Sequence, residues 1–295
     1  MNQTVPVSVI GPGALGSAMI DLVSRHSSFT LASVWGCTQS DSYILDSAGK
    51  EKKPADKPKP SNDNDLGDLT ILSVPDDKLA GIVRQLSKTA IQWDRRSVIH
   101  LSGSVDSSIL KPLAEHGAKT ASMHPLQTFT RGDGADRFKG IWFSLQGGDE
   151  LFPMLNQLVT PFGAQTKVLT SDQKSAMHLA AVFASNYLVS LMDVAEQISK
   201  DAGINDGLEM LNPIIHQTLH NIFEKGARQS LSGPVARGDQ TTIAAHLKRL
   251  QNNSDHFNLY RQLGLIASQI ATSSGQLDEE VFRKVRTQLK SQFDE

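Results

Sequence analysis

Residues 5–21, VPVSVIGPGALGSAMID, constrain this chain more than any other stretch. The β-branched run Val5, Val7, Val9 and Ile10 reads as a buried strand and stops at Gly11-Pro12-Gly13-Ala14-Leu15-Gly16. A helical period follows at once, carried by Leu15, Met19, Leu22 and Val23. A strand that turns through Gly-x-Gly-x-x-Gly into a helix is the arrangement that holds a dinucleotide pyrophosphate. Gly11 permits the tight turn, Gly13 lets phosphate approach the backbone, and Gly16 lets helix and strand pack closely. The helix N-terminus then offers free N–H groups and the positive end of its dipole. Gly11, Gly13, Ala14, Leu15 and Gly16 are the expected cofactor-binding residues; the other reading is a tight βα turn that holds no ligand.

Beyond this turn, strand and helix signals alternate. Residues 29–34, 69–74, 96–101, 118–123, 141–145 and 166–169 read as strands, and 78–86 and 151–159 as helices, the former capped by Asp77. That alternation predicts an α/β fold with a doubly wound, mostly parallel sheet. From Ser171 the strand signal stops. Residues 171–201 form one long helical pattern, with Ser171 or Asp172 as cap and Gly203 as terminator, and helices follow at 206–225, 240–251, 255–272 and 277–292. The expected organisation is a dinucleotide-binding domain over 1–165 and an all-α domain over 166–295, and 295 residues suffice for two cores.

Composition narrows the function classes. Hydrophobic content of 39% and charged content of 20% describe an ordinary globular protein, and a net charge of −2 gives no reason to expect nucleic acid or an acidic membrane as partner. The single cysteine, Cys37, excludes an internal disulfide and a cysteine-based zinc cluster. No basic and apolar leader precedes the first strand, and the apolar stretch 179–192 is short and broken by Ser185, Asn186 and Ser190. The expectation is therefore a cytoplasmic protein with no membrane span. Residues 49–65, with three prolines and no large apolar side chain, read as a mobile surface insertion whose lysines either reach a phosphate or are simply solvated.

The residue that reads the adenosine ribose is expected about 20 residues past the glycines. Trp35-Gly36-Cys37-Thr38-Gln39-Ser40 stands there, with neither an acid nor an arginine. The absent carboxylate removes a repulsive partner for a 2′-phosphate, and Thr38 and Ser40 could donate to one, so NADP is favoured with NAD possible. Val74, Pro75 and Ser102 lie at further strand ends, where the nicotinamide would rest, and Ser104 and Thr128 lie close by as substrate-binding candidates.

His124 follows a strand and precedes Pro125, which biases its backbone toward extended geometry. Its imidazole can move a proton near neutrality, or can make a structural hydrogen bond at a strand end. Lys174 and His178, four apart, share one helix face, and Asn186 is rotated by about 80° from His178. They read either as a polar site wall or as a solvated lysine beside a hydrogen-bonded histidine. His216 and His220 are also four apart, but no neighbouring acid or cysteine completes a metal site, and no metal is expected. Within 232–239, Asp239 reads as a helix cap, while Arg237 either holds its own loop or grips a substrate anion.

Several segments carry a family resemblance. His100-Leu101-Ser102-Gly103-Ser104, Gly117-Ala118 and His124-Pro125-Leu126-Gln127-Thr128-Phe129 resemble Rossmann-like proteins whose second domain is the domain of unknown function 2520. His178 to Ala181, Ala184-Ser185-Asn186-Tyr187, Ser232-Gly233-Pro234-Val235-Ala236-Arg237-Gly238-Asp239 and His246-Leu247 resemble that second domain. The resemblance implies an N-terminal Rossmann domain and a helical domain that pairs two subunits into a homodimer. Members are described as NADP-dependent oxidoreductases related to pyrroline-5-carboxylate and ketopantoate reductases. Lys174 and His178 stand where related dehydrogenases carry Lys-x-x-x-Asn, so His178 departs from that pattern. His124-Pro125 also resembles the His-Pro of prephenate dehydrogenases.

Together these readings lead to an NADP-dependent oxidoreductase acting on a small ketone, imine or hydroxy compound. His124, Lys174 and His178 would be catalytic, and Ser104, Thr128, Asn186 and Arg237 would bind the substrate. The alternatives are a dinucleotide-binding sensor or assembly protein without turnover, and a prephenate-dehydrogenase-like activity.

Overall fold

The computed structural model describes residues 4–36, 39–45, 52–56 and 59–290. The chain divides into two compact units, 1–185 and 186–295.

The first unit is built on strands β1 (Val5–Ile10), β2 (Phe29–Trp35), β3 (Tyr43–Leu45), β4 (Lys52–Pro54), β5 (Leu69–Leu72), β6 (Ser97–His100), β7 (Lys119–Pro125), β8 (Trp142–Gly147) and β9 (Gln165–Val168). Among the described residues these form one sheet in the order β4-β3-β2-β1-β5-β6-β7-β8-β9. The central pairs, β2·β1, β1·β5, β5·β6 and β6·β7, and the edge pair β8·β9 are parallel, whereas the β2·β3, β3·β4 and β7·β8 pairs are antiparallel. The chain leaves β1 for β2 on one side and returns to β5 on the other. This reversal opens a crevice at the carboxyl ends of the strands, where ligands of such sheets bind.

Helices α1 (Ala14–Ser24), α2 (Asp76–Leu86), α3 (Lys111–Ala114) and α4 (Phe152–Val159) cover the sheet. One face buries Val7, Val9, Met19, Leu22, Phe29 and Leu155; the other buries Leu72, Leu79, Val83, Trp93, Leu110 and Leu113. A sheet apolar on both faces needs helices on both, which accounts for the nearly uniform burial of β1 and β5.

Three local expectations give way. Asp77 does not cap α2: the helix begins at Asp76 behind Pro75, with no side-chain cap, and Asp77 pairs with Lys78 at 2.9 Å. Part of the 49–65 insertion is ordered, because β4 extends the sheet edge and Asp65, 4% exposed, accepts from the Ser61 and Asn62 N–H groups. Arg96 ties the same segment down by donating to the Asp63, Leu66 and Gly67 carbonyls. The long helix is capped by Thr170, not by Ser171 or Asp172. Its hydroxyl accepts from the Gln173 N–H while the Gln173 side chain accepts from the Thr170 N–H.

That helix comprises α5 (Ser171–Ala181), a π turn at Val182–Asn186, and α6 (Tyr187–Lys200). The compact units part at 185/186, inside it; α5 packs on β8, and Lys174 reaches Ser122 of β7. The apolar stretch 179–192 lies within this helix, as the 171–201 pattern predicts. Ser171–Lys200 is a continuous 30-residue helix with a mean hydropathy of 1.3 over its most apolar window. Length and composition alone would let it cross a membrane. The capping box and the buried Lys174 instead make its first half part of a globular unit.

The second unit continues with α7 (Gly207–Lys225), α8 (Pro234–Arg237), α9 (Gln240–Leu250), α10 (Ser254–Ser273) and α11 (Glu279–Lys290). The connection at 232–239, expected to be non-helical, contains the single turn α8, started by Pro234 and ended by Gly238 at φ +66°. Asp239 caps α9 as expected, its carboxylate accepting from the Thr242 N–H at 3.0 Å. The core of this unit is Ile243, Leu247, Val285 and Leu289, and Gly264 lets α10 approach Leu289 closely.

Candidate functional site

The turn after β1 is shaped by its glycines. Gly11 sits at φ +95°, and a Cβ there would overlap the Ser73 carbonyl oxygen. A Cβ on Gly16 would overlap the Gly11 carbonyl oxygen, so the helix can start this close to the strand only with glycine at that position. Gly13 differs: a Cβ there meets nothing within 4 Å. It is also the N-cap of α1, with no side-chain cap and no acid in the first turn. The N–H groups opening α1, which include those of Ala14, Leu15 and Gly16, have no side-chain acceptor, and the space at Gly13 beside them is open. This donor set fits an anionic diphosphate.

Beside the turn lies a cavity of about 630 Å³, running from Ile10, Gly11 and Val74 past Trp35 and Gly36 to Lys59 and the face of α2. Its volume suits a nucleoside-sized ligand. Ser40 is exposed and is not part of its wall; Thr38 lies outside the described residues.

A second cluster gathers at the ends of β6 and β7. His124 Nδ1 donates to the Leu101 carbonyl at 2.8 Å in its neutral form, leaving the lone pair on Nε2. Burial pushes the His124 pKa down, the Leu101 carbonyl opposes this, and the Lys174 charge adds to the depression. His178 lies with its ring centroid 6.1 Å away at an interplanar angle of 75°. Between them sits Gly103: a Cβ there would lie 2.6 Å from His124 Nε2 and 2.7 Å from His178 Nδ1. Two imidazole nitrogens thus converge on one glycine, a juxtaposition that neither histidine signals in the sequence.

Lys174 is 3% exposed, and its Nζ donates to the Val105 carbonyl and the Ser122 hydroxyl. Burial lowers its pKa to about 8 against the pull of Asp106 and Asp76. The ammonium is therefore held in the wall, not at a surface open to substrate. Nearby, Asp106 accepts from Ser171 Oγ at 2.6 Å and Gln146 Nε2 at 2.6 Å; these bonds and that from the Ser108 N–H hold its pKa down to about 2. His100 is fully buried, its Nδ1 accepting from the Ser102 N–H and its Nε2 without a hydrogen-bond partner. Burial, with the Lys174 charge second, holds the His100 pKa at about 3.

The remaining candidates have mixed positions. Ser102 Oγ accepts from the Val105 N–H at 3.0 Å, and Ser104 Oγ donates to Asp76 at 2.5 Å, so both hydroxyls shape the β6 loop. Pro75 starts α2 at the mouth of the crevice, and Thr128 is exposed, its N–H and hydroxyl donating to the Gln127 side chain and its carbonyl accepting from Arg137 Nε. Asn186 and Arg237 belong to the second unit, Asn186 closing the π turn and Arg237 ending α8. No group of three or more metal-ligating side chains occurs among the described residues. Sequence reasoning missed Asp106 and Ser122, which show only as polar residues near strand ends.

Two family models match the chain in tandem: a Rossmann-like domain over residues 2–125 and a domain of unknown function, DUF2520, over residues 141–266. The chain joins a Rossmann-like domain to DUF2520. No curated protein matches its sequence. Among solved structures, it is similar to a Bacteroides fragilis protein assigned as an NADP oxidoreductase, with a TM-score of 0.70 and 21% identity over 90% of this chain and 98% of that one. A Thermotoga maritima protein follows at TM-score 0.66 and 21% identity, covering 91% and 99% of the two chains. An imine reductase from Myxococcus stipitatus, solved with NADP+, gives a TM-score of 0.61 at 15% identity, covering 95% and 99%. At these identities the similarity shows the shared fold: a Rossmann-like sheet followed by a helical region.

Proposed function

We propose that this DUF2520 protein is an NADP-dependent oxidoreductase for a small carbonyl, imine or hydroxy compound. The observation that carries the proposal is the uncapped N-terminus of α1, open at Gly13 and adjoining a nucleoside-sized cavity. Gly11, Gly13 and the N–H groups that open α1 would hold the diphosphate, with the adenosine in the cavity and Val74, Pro75 and Ser102 toward the nicotinamide. When bound, the nicotinamide supplies or accepts a hydride.

The protein's own task is the proton. At neutral pH His124 is neutral with its lone pair at Nε2, so this atom accepts the proton of a hydroxyl group undergoing oxidation. In the reducing direction the ring takes up a proton from solvent and passes it to the oxygen or nitrogen on which negative charge develops as hydride adds. His178 Nδ1 faces the same point, giving the proton a second station. Lys174 does not touch the reacting atoms in this scheme. It is a positioning residue, whose charge helps keep His124 neutral and whose bonds hold the β6 loop to Ser122. Ser104 and Thr128 would orient the substrate.

The Bacteroides fragilis and Myxococcus stipitatus proteins support a nicotinamide cofactor through what they are named for and solved with. We also infer a homodimer. In the second unit Val189, Met210, Ile214 and Phe223 are 69%, 65%, 61% and 84% exposed, an apolar surface that a second copy would cover. The single cysteine suits a reducing compartment such as the cytoplasm.

The test is calorimetric titration with NADP+, NADPH, NAD+ and NADH, followed by NADPH consumption over a panel of carbonyl and imine compounds. Binding and turnover are expected. Absence of binding overturns the proposal, and binding without turnover across the panel transfers it to a sensor.

A further inference from the structure

We propose that the insertion between β2 and β5 provides this protein's reader of the adenosine-side phosphate: Lys59, acting with Arg84 of α2, selects a dinucleotide that carries a 2′-phosphate. The inference rests on the dinucleotide reading above and goes further, by assigning specificity to residues outside the β2 turn.

Ribose recognition in this fold occurs at the carboxyl end of the second strand. In this chain that end is Trp35-Gly36, and the sequence from Gly36 to Ser40 contains no charged residue. A 2′-phosphate there finds no charge partner on the strand that usually supplies one. The far wall of the same cavity is different. Lys59, Lys78 and Arg84 line it together with one carboxylate, Asp77. Asp77 is already paired with Lys78 at 2.9 Å, so the carboxylate neutralises a neighbour and leaves two cations over. Lys59 and Arg84 are both exposed, and the Arg84 guanidinium has no ion-pair or hydrogen-bond partner among the described residues.

Lys59 is also held in place. Its Nζ donates to Gln85 Oε1 at 2.7 Å, which ties the ammonium to α2 in the wall of the cavity that Arg84 also lines. The backbone that follows is anchored by the buried Asp65, which accepts from the Ser61 and Asn62 N–H groups at 2.6 and 2.9 Å. A lysine tethered at both its backbone and its tip loses less entropy on binding an anion than one on a free loop. The ammonium and guanidinium together match a phosphate dianion, with the guanidinium able to bind it through two N–H groups. Dinucleotide without the 2′-phosphate would gain nothing from either.

The experiment is titration calorimetry of the full chain with NADPH and NADH, and with 2′,5′-ADP and 5′-AMP as half-molecules. Wild type, Lys59→Ala, Arg84→Ala and the double variant are compared, with thermal unfolding as the check on fold. Both side chains are exposed, so unfolding temperatures should be unchanged. Wild type should prefer NADPH to NADH and 2′,5′-ADP to 5′-AMP. Each single variant should lose at least tenfold in affinity for the 2′-phosphorylated ligand with NADH and 5′-AMP unaffected, and the double variant should lose the preference. Equal wild-type affinity for NADPH and NADH, or single variants that keep the wild-type preference, would overturn this inference and leave the dinucleotide reading intact. Failure of wild type to bind any of the four ligands would remove both.

Discussion

Gly13→Asp separates a binding role for the first turn from a purely structural one. Gly13 has φ −71° and ψ −164°, which any residue adopts, and a Cβ there meets no atom within 4 Å. The variant should therefore fold. At the N-cap of a helix with no other side-chain cap, the introduced carboxylate would accept from the N–H groups of the first turn and complement the helix dipole. That should raise stability by about 0.5–1 kcal/mol. The same carboxylate occupies the place proposed for the diphosphate. A unit charge about 4 Å from one phosphate charge costs about 4 kcal/mol at an effective dielectric of about 20, roughly a thousandfold in affinity. Gly13→Asn caps similarly without the charge and should lose much less. Calorimetry with NADPH and urea unfolding of wild type, Gly13→Asp and Gly13→Asn provide the assay. If Gly13→Asp gains stability and still binds NADPH within tenfold of wild type, the diphosphate does not sit at this helix terminus.

Three further outcomes follow from the second cluster and the helical unit. The Lys174 pKa falls from 10.5 unfolded to about 8 folded, so between these values the unfolded state binds more protons and stability rises with pH. Relative to Lys174→Met, wild type should gain about 2 kcal/mol of unfolding free energy from about pH 7.5 to 9.5; a flat difference in urea titrations would show that the ammonium is not desolvated. Gly103→Ala puts a methyl group within 2.7 Å of both His124 Nε2 and His178 Nδ1. Their imidazole NMR signals should both shift and turnover should fall at least a hundredfold with NADPH affinity retained; unmoved signals would refute the convergence of the two rings. Phe223→Glu, on the most exposed large apolar side chain among the described residues of the second unit, should convert a dimer to monomer by sedimentation, and an unchanged mass would exclude this face from the interface.

Much of the fold was legible because its signals are local. Val5 to Gly16 carries strand period, turn chemistry and helix start in a dozen residues, and the structure reproduces each. The helices after Ser171 are visible as 3.6-residue periods, and Asp239 and Gly203 mark helix ends by their own side-chain or backbone chemistry. Asp77 misled because a carboxylate at a helix start looks the same whether it caps or pairs with the next lysine. The 49–65 segment misled for a different reason. Its low hydrophobicity hides that Asp65 and Arg96 fasten it through backbone groups, a contribution that composition does not register.

The candidate site was legible as a set of residues but not as an arrangement. His124 and His178 were singled out separately, and only folding brings them to the same glycine. Lys174 was expected at a site wall with its charge available. The structure buries that charge against Ser122, 52 positions earlier in the chain.

By itself, then, the sequence determined the strand–glycine–helix turn, the alternation that winds a parallel sheet, and the helical character of the second half. Each follows from backbone sterics and the spacing of apolar residues over a turn or two. The tertiary structure alone decided which histidines meet, that the lysine is desolvated, and that a lysine from an insertion lines the same cavity as the glycine turn. Those properties depend on distance through space and on exclusion of water, and neither is encoded within any single stretch of chain.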